Sequence, residues 1–325
     1  MRIFVSGATG PYGAHFAKHC LSLGHDVFSL RHLSRPNDSA SLLGIADKIT
    51  WATGDIRDTG LLALCLSEWD IQHVAHFAAK PLVRVGTLVA EPIFSINVMG
   101  TVSLLDAVKQ VAAKRKIHFL QVSTDKVYGN AGDVPYTEDM PLLGSSVYEA
   151  SKVGAEVACR AYQAHGLVPH LVTSRSCNVV AAGDLNWRLI SNTCRQFLSH
   201  VPAKIYTNGQ YVREYIHVQD AVEAQYALLM RADEYAGQAF NIGSGISKTQ
   251  EEIIMLIREK FFPEGQIARV DPPGHHFVEI SYQKLNSSKI RKALGWGPTR
   301  SFESAVGGVA MWWKEHAQLA SWSLL

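Results

Sequence analysis

Apolar residues in the first half of this chain come in short blocks, and each block is followed by a stretch with helical spacing. Ile3-Phe4-Val5 reads as a buried strand. Phe16, Ala17, Cys20, Leu21 and Leu23 then recur on one helical face, which Gly24 closes. Asp26 to Leu30, Ile49 to Ala52, Val74 to Ala79, His118 to Val122 and Leu171 to Ser174 are further strand blocks. Pro92 to Val111 and Val147 to His165 have the length and period of long helices. Such alternation predicts an α/β fold with a doubly wound parallel sheet and a site at the strand carboxyl ends.

After Arg175 the pattern loosens. Loops at Ala181–Asn186 and Pro263–Gly274 separate short helices at Leu189–Phe197, Lys248–Lys260 and Phe302–Glu315. Asp220-Ala221-Val222-Glu223 has the form of a capped helix start. Residues 1–175 are therefore expected to form a dinucleotide-binding domain, to which 212–243 return. Residues 176–325 are expected to form a smaller substrate-binding region.

The first strand runs straight into Gly7-Ala8-Thr9-Gly10-Pro11-Tyr12-Gly13 and the first helix. A strand, a glycine turn and a helix amino terminus suit a pyrophosphate, because backbone can come close and the helix dipole faces an anion. The second strand ends near Arg31, with Arg35 following, where many NAD sites carry an acid for the ribose. Arginine there fits a 2′-phosphate, or the pair is simply solvated at the surface.

Two further segments carry chemistry. Ser123-Thr124-Asp125-Lys126 sets a hydroxyl, a carboxyl and an amine at the end of a strand. Tyr148 and Lys152 stand one helical turn apart, on one face. An ammonium beside a phenol lowers its pKa and makes a general base of it. Lys126 reads either as a second base or as a partner to Asp125.

Composition narrows the function. Hydrophobic residues make up 47% of the chain and the net charge is +2, with no basic run, which argues against nucleic acid as a partner. No apolar stretch reaches membrane-spanning length and no leader precedes the first strand, so no membrane partner and a cytoplasmic location are expected. Cys20, Cys65, Cys159, Cys177 and Cys194 form no C-x-x-C pair, and no His/Cys cluster suggests a metal.

As a set, Gly7/Gly10/Gly13, Gly54-Asp55-Ile56, Phe77-Ala78-Ala79, Asn97 to Thr101, Ser123 to Tyr128, Tyr148/Lys152, Arg175 with Asn178-Val179, Arg213 to Val218 and Phe240 to Gly243 resemble the extended short-chain dehydrogenase/reductases. Within that group the chain resembles the nucleotide-sugar 4,6-dehydratases. The Asp125-Lys126 pair and the segments at 79–84, 183–190 and 282–289 look most similar to CDP-glucose 4,6-dehydratases, while Arg31 resembles the NADP-using GDP-mannose enzymes. Arg213 to His217 looks more like general epimerases.

The resemblance implies a Rossmann-type sheet and a recycled, tightly bound NADP, with NAD as the alternative. Gly7, Gly10, Tyr12, Gly13, Arg31, Arg35, Asp55, Ile56, Phe77, Ala78, Ala79, Lys80, Asn97, Tyr148, Lys152 and Asn178 would hold it. It implies a sugar-nucleotide substrate held by Arg84, Thr124, Asn178, Arg188, Leu189, Arg213 and Glu279. Thr124, Asp125, Lys126, Tyr148 and Lys152 would be catalytic, in a dehydratase or, as the alternative, a 4-epimerase that needs neither Asp125 nor Lys126. A homodimer is implied too, through the two long helices, with Leu104, Leu105 and Val108 on one and Val157 and Ala161 on the other as apolar faces.

Overall fold

The computed structural model describes residues 1–33, 37–81, 89–206, 211–271, 280 and 282–320. Six strands arise in the first half: β1 (Arg2–Ser6), β2 (Asp26–Arg31), β3 (Ile49–Thr53), β4 (His73–His76), β5 (His118–Thr124) and β6 (Leu171–Ser176). Seven follow: β7 (Asn178–Val180), β8 (Ala203–Tyr206), β9 (Val212–His217), β10 (Ala239–Ile242), β11 (Ser247–Thr249), β12 (Ile267–Val270) and β13 (Tyr282–Gln283). Seven strands build the central sheet in the order β10-β6-β5-β4-β1-β2-β3, every pairing parallel. The order reverses between β1 and β4, which opens a crevice at their carboxyl ends.

Helices cover both faces of this sheet. Phe16 and Ala17 of the helix Pro11–Ser22 pack with Ala221, Leu228 and Leu229 of the helix Val218–Met230 over one face. Leu62, Leu66, Leu104, Leu105, Val108 and Cys159 cover the other. A second core forms around Ile190, Cys194, Phe197, Ile253, Ile257, Val306 and Trp313, beside smaller sheets made of β7, β9, β11 and β13 and of β8 and β12. The chain returns to the main sheet through the helix Val218–Met230 and β10, whereas β9 sits in a smaller sheet.

Two differences from the sequence reading bear on assembly and on the site. The helix expected over Pro92–Val111 is broken in character: Glu91–Phe94 and Gly100–Ala112 are α, and Ser95–Met99 between them is a π-turn. Its Leu104, Leu105 and Val108 are fully buried against the sheet within the chain, so they are not an interface face. A helix that flanks a sheet spends its apolar stripe there first. Phe94, Met99, Val157 and Ala161 are what these helices leave exposed.

Candidate active site

Two clefts meet above the carboxyl ends of β1, β4 and β5. One, of about 1080 Å³, is lined by Gly7, Gly10, Tyr12, Gly13, Asp55, Ile56, Phe77, Ala78, Ala79, Lys80, Tyr148 and Lys152 among others. The other, of about 800 Å³, is lined by Thr124, Asp125, Lys126, Asn178, Leu189 and Arg213 among others. Tyr12, Pro81, Ser123, Tyr148 and Arg188 line both, so the clefts join at the tyrosine.

The glycine turn shows why its residues are what they are. Gly7 has φ +78°, and a Cβ there would lie 2.7 Å from the Ala78 nitrogen. A Cβ on Gly13 would lie 2.4 Å from the Gly7 carbonyl oxygen. Both glycines are required by packing. Gly10 is different: its Cβ would meet only the Gly7 oxygen, at 3.5 Å. Packing does not ask for glycine at Gly10, whereas a ligand pressed against the backbone would. With the helix amino terminus behind it, this turn fits a dinucleotide pyrophosphate.

Other expected cofactor residues are placed differently. Arg31 does not line the cleft; its guanidinium lies 3.8 Å over the Trp51 ring and 4.0 Å from Asp38. Arg35 lies outside the described residues, as do Arg84 and Glu279. Asp55 is gripped by Arg57 at 2.7 Å, which holds its carboxyl down at about 2. Asn97 is buried rather than on the cleft wall, with Oδ1 accepting from Lys80 N at 2.7 Å and Nδ2 donating to Ser151 Oγ at 2.9 Å. Asn178 lines only the smaller cleft and donates to the Glu214 carbonyl.

Tyr148 stands in the first turn of the helix Val147–Ala164. A capping box starts that helix: Ser146 Oγ accepts from Glu149 N, and the Glu149 carboxylate accepts from Ser145 N and Ser146 N. The cap fixes where the first turn lies, and so where the phenol emerges. Burial pushes that phenol up to about 12, while Arg188 and a hydrogen bond with Thr124 pull it down. Lys152 is buried, and burial draws its ammonium down to about 8. Its Nζ donates to the Val122 carbonyl at 2.7 Å. Arg188 is the largest lowering influence on Tyr148, ahead of the Thr124 hydrogen bond.

Asp125 is 2% exposed, and burial raises its pKa although Lys126, Thr124 and Arg213 oppose the rise. Its Oδ1 accepts from Thr124 Oγ1 at 2.9 Å, and its Oδ2 has no hydrogen-bond partner among the described residues. A carboxyl held that way favours its protonated form and can act as an acid. Lys126 makes no ion pair with it. The amine instead donates to Gln283 Oε1 at 3.2 Å. Sequence reading gave Gln283 no role, and no local signal could have: it is 157 residues away, on a two-residue strand beside β9.

Arg188 is the amino-terminal cap residue of the helix Leu189–Leu198 and lies 3.6 Å from Asp184. Arg213 lies on β9 with its charge near Asp125. Arg188 lines both clefts and Arg213 the smaller one. All five cysteines are free and buried. Among the described residues no acidic, Cys and His group could hold a metal, and no helix is long and apolar enough to cross a membrane.

Comparison with known proteins agrees with this geometry. The family profile described as GDP-mannose 4,6 dehydratase matches residues 4–308. The chain is 33% identical to the low-salt glycan biosynthesis protein Agl12 of Haloferax volcanii, over 94% of this chain and 96% of that one. It is 31% identical to a dTDP-glucose 4,6-dehydratase of Xanthomonas campestris pv. campestris, over 95% and 92%. Among solved structures, the dTDP-glucose 4,6-dehydratase DesIV of Streptomyces venezuelae, with NAD bound, superimposes at a TM-score of 0.87 with 28% identity, covering 98% of both chains.

Proposed function

This chain belongs to the GDP-mannose 4,6-dehydratase family of NAD(P)-dependent nucleotide-sugar enzymes, and we propose that it converts a nucleoside-diphosphate hexose to the 4-keto-6-deoxy sugar with the five residues around Tyr148. The observation that carries the reading is the buried Asp125, whose pKa burial raises, beside a Lys126 whose amine bonds Gln283.

NAD(P), held by the cleft at Gly7–Gly13 and Phe77–Lys80, would supply one piece of chemistry, reversible hydride transfer between C4 and C6. The chain supplies the rest. Tyr148 takes the proton of the C4 hydroxyl, and Thr124 holds that oxygen. Oxidation at C4 acidifies the C5 proton. Lys126 removes it, and Asp125 gives a proton to the leaving C6 hydroxyl, so that water departs across C5 and C6; Lys126 then returns its proton to C5 as C6 is reduced. Arg188 and Arg213 neutralise the diphosphate. A 4-epimerase would leave Asp125 and Lys126 idle, and a buried acid with an orphan oxygen is costly to keep for nothing.

NAD is the cofactor this site favours, since Arg31 lies on Trp51 and off the cleft wall. The chain pairs as a homodimer through the exposed Phe94, Met99, Val157 and Ala161. A cytoplasmic location is supported by five cysteines that remain unpaired. The test is incubation with CDP-, GDP-, UDP- and dTDP-hexoses, followed by mass spectrometry. Loss of one water without accumulation of reduced cofactor is expected. An isomer of unchanged mass would replace this reading with the epimerase.

A further inference from the structure

We infer that His76, which lines neither cleft, is a positioning residue that ties the wall of the cofactor cleft to the helix carrying Tyr148. The inference rests on reading that cleft as a nicotinamide-cofactor site. It follows from a chain of hydrogen bonds whose directions can be assigned atom by atom.

Ser6 is fully buried and His76 is 2% exposed. Ser6 Oγ accepts from Ala78 N at 3.2 Å and from Phe77 N at 3.1 Å, the latter N–H being shared with the Ser6 carbonyl at 3.1 Å. Having taken two donors, the hydroxyl must give its own proton away, and His76 Nδ1 lies 2.6 Å off. Nδ1 is then the acceptor, and the proton of the neutral ring is on Nε2. Nε2 faces Thr101 Oγ1 at 3.0 Å. That hydroxyl already donates to the Asn97 carbonyl at 2.7 Å, so it is free to accept from Nε2. Every donor meets an acceptor with one tautomer and no charge. A second ring proton would face a Ser6 oxygen that already holds two donors. Burial, aided by the nearby Lys152 charge, keeps the ring neutral, with its pKa lowered to about 3.

Both ends of the chain reach working parts. At one end, Phe77 and Ala78 line the cofactor cleft and press against Gly7, whose Cβ would fall within 3 Å of their backbone. At the other, Asn97 sits in the π-turn and donates to Ser151 Oγ at 2.9 Å, and Ser151 donates to the Tyr148 carbonyl at 2.7 Å. The same Asn97 side chain also holds the Lys80 backbone through two hydrogen bonds. The imidazole thus has two arms: Nδ1 serves the cofactor wall at Phe77 and Ala78, and Nε2, through Thr101 and the Asn97 carbonyl, steadies the π-turn whose Asn97 side chain holds the tyrosine helix and, at the margin of that wall, the Lys80 backbone.

These two arms make the test specific. Asn at position 76 can offer an acceptor near Nδ1, and Gln can offer a donor near Nε2. His76→Asn is expected to retain NAD(P) through gel filtration within about threefold of the parent, with turnover per bound cofactor about tenfold lower. His76→Gln is expected to release cofactor about tenfold faster while turnover per bound cofactor stays within about threefold, tenfold being one hydrogen bond. Long-range proton–nitrogen spectra of the parent should show His76 protonated at Nε2 only, unchanged from pH 8 to 5. Proton on Nδ1, or titration in that range, overturns the inference whatever the variants do. So does an equal loss of both functions in both variants. A parent that binds no NAD(P) would instead sink the reading of the cleft, while the spectra would still judge the hydrogen-bond chain.

Discussion

Lys126 and Gln283 meet across 3.2 Å, Nζ donating to Oε1, and the amine makes no ion pair with the carboxyl of Asp125 beside it in sequence, although its charge still lowers that carboxyl's pKa. An ammonium paired to a carboxylate would be a poor base and would leave a poor acid. Separated, the two residues can serve opposite ends of an elimination. Lys126→Met and Asp125→Asn should therefore lose water elimination by about 10²–10⁴-fold. Oxidation at C4 should persist in both, because Thr124, Tyr148 and Lys152 remain. It would be read as reduced-cofactor absorbance close to the enzyme concentration. Parental turnover in both variants would leave Asp125 and Lys126 as scaffolding.

Gly10 and Gly13 should respond differently to the same substitution. Gly13→Ala drives a Cβ in the first turn of the helix Pro11–Ser22 to within 2.4 Å of the Gly7 carbonyl oxygen, a backbone atom with little room to move. A loss of about 1–3 kcal/mol in stability is expected, read by thermal or urea unfolding. Gly10→Ala meets nothing closer than 3.5 Å and should melt like the parent. Its defect should be in NAD(P) retention. Equal melting temperatures for the two variants would contradict the packing argument.

Arg188 ties substrate binding to the pH profile. Its charge lowers the pKa of Tyr148, which burial has raised to about 12. Removing it in Arg188→Ala raises that pKa further. The rising alkaline limb of kcat, which follows phenol deprotonation, should then move to higher pH. The KM for the sugar nucleotide should rise about tenfold, as for a lost charged hydrogen bond. An unchanged pH profile with a raised KM would mean that the guanidinium does not act on the phenol.

Acid stability should depend on histidines. Burial lowers His15 and His73 to about 4 and His76 to about 3, against 6.5 for a free histidine. With the folded pKa below the unfolded one, the unfolded chain takes up protons first as pH falls. Stability contributed by the neutral rings is then lost progressively below about pH 6.5, down to about 4 for His15 and His73 and about 3 for His76. Asp125 and Glu214, both raised by burial, offset part of this because they favour the folded chain as pH drops. A urea midpoint at pH 5 that equals the one at pH 7 would show that the histidines do not dominate.

Val157 is 48% exposed and Met99 is 52% exposed, on neighbouring helices. Val157→Glu should convert a dimer to a monomer in light scattering at micromolar concentration, with little change in melting of the chain itself. A parent that is already a monomer would remove the dimer from the proposal.

The local pattern was enough for the parallel sheet and for most of the cofactor cleft. Strand blocks and helix spacing are set by neighbours in sequence, and so is the glycine turn, whose three members lie within seven residues. Tyr148 and Lys152 were legible for the same reason: one helical turn puts them on one face.

What their side chains do with that placement was decided elsewhere. Lys152 turns to the Val122 carbonyl, Lys126 to Gln283, and Arg31 to the face of Trp51. Leu104, Leu105 and Val108 have the same helical spacing whether they face a sheet or a second subunit, and only the folded chain shows them against the sheet. Charge states follow the same division. Residue type sets a reference pKa, but burial of Asp125, Tyr148 and Lys152 comes from residues brought in by the fold. Period and local chemistry are written in short stretches of sequence, whereas desolvation and long-range hydrogen bonds exist only once distant segments have packed.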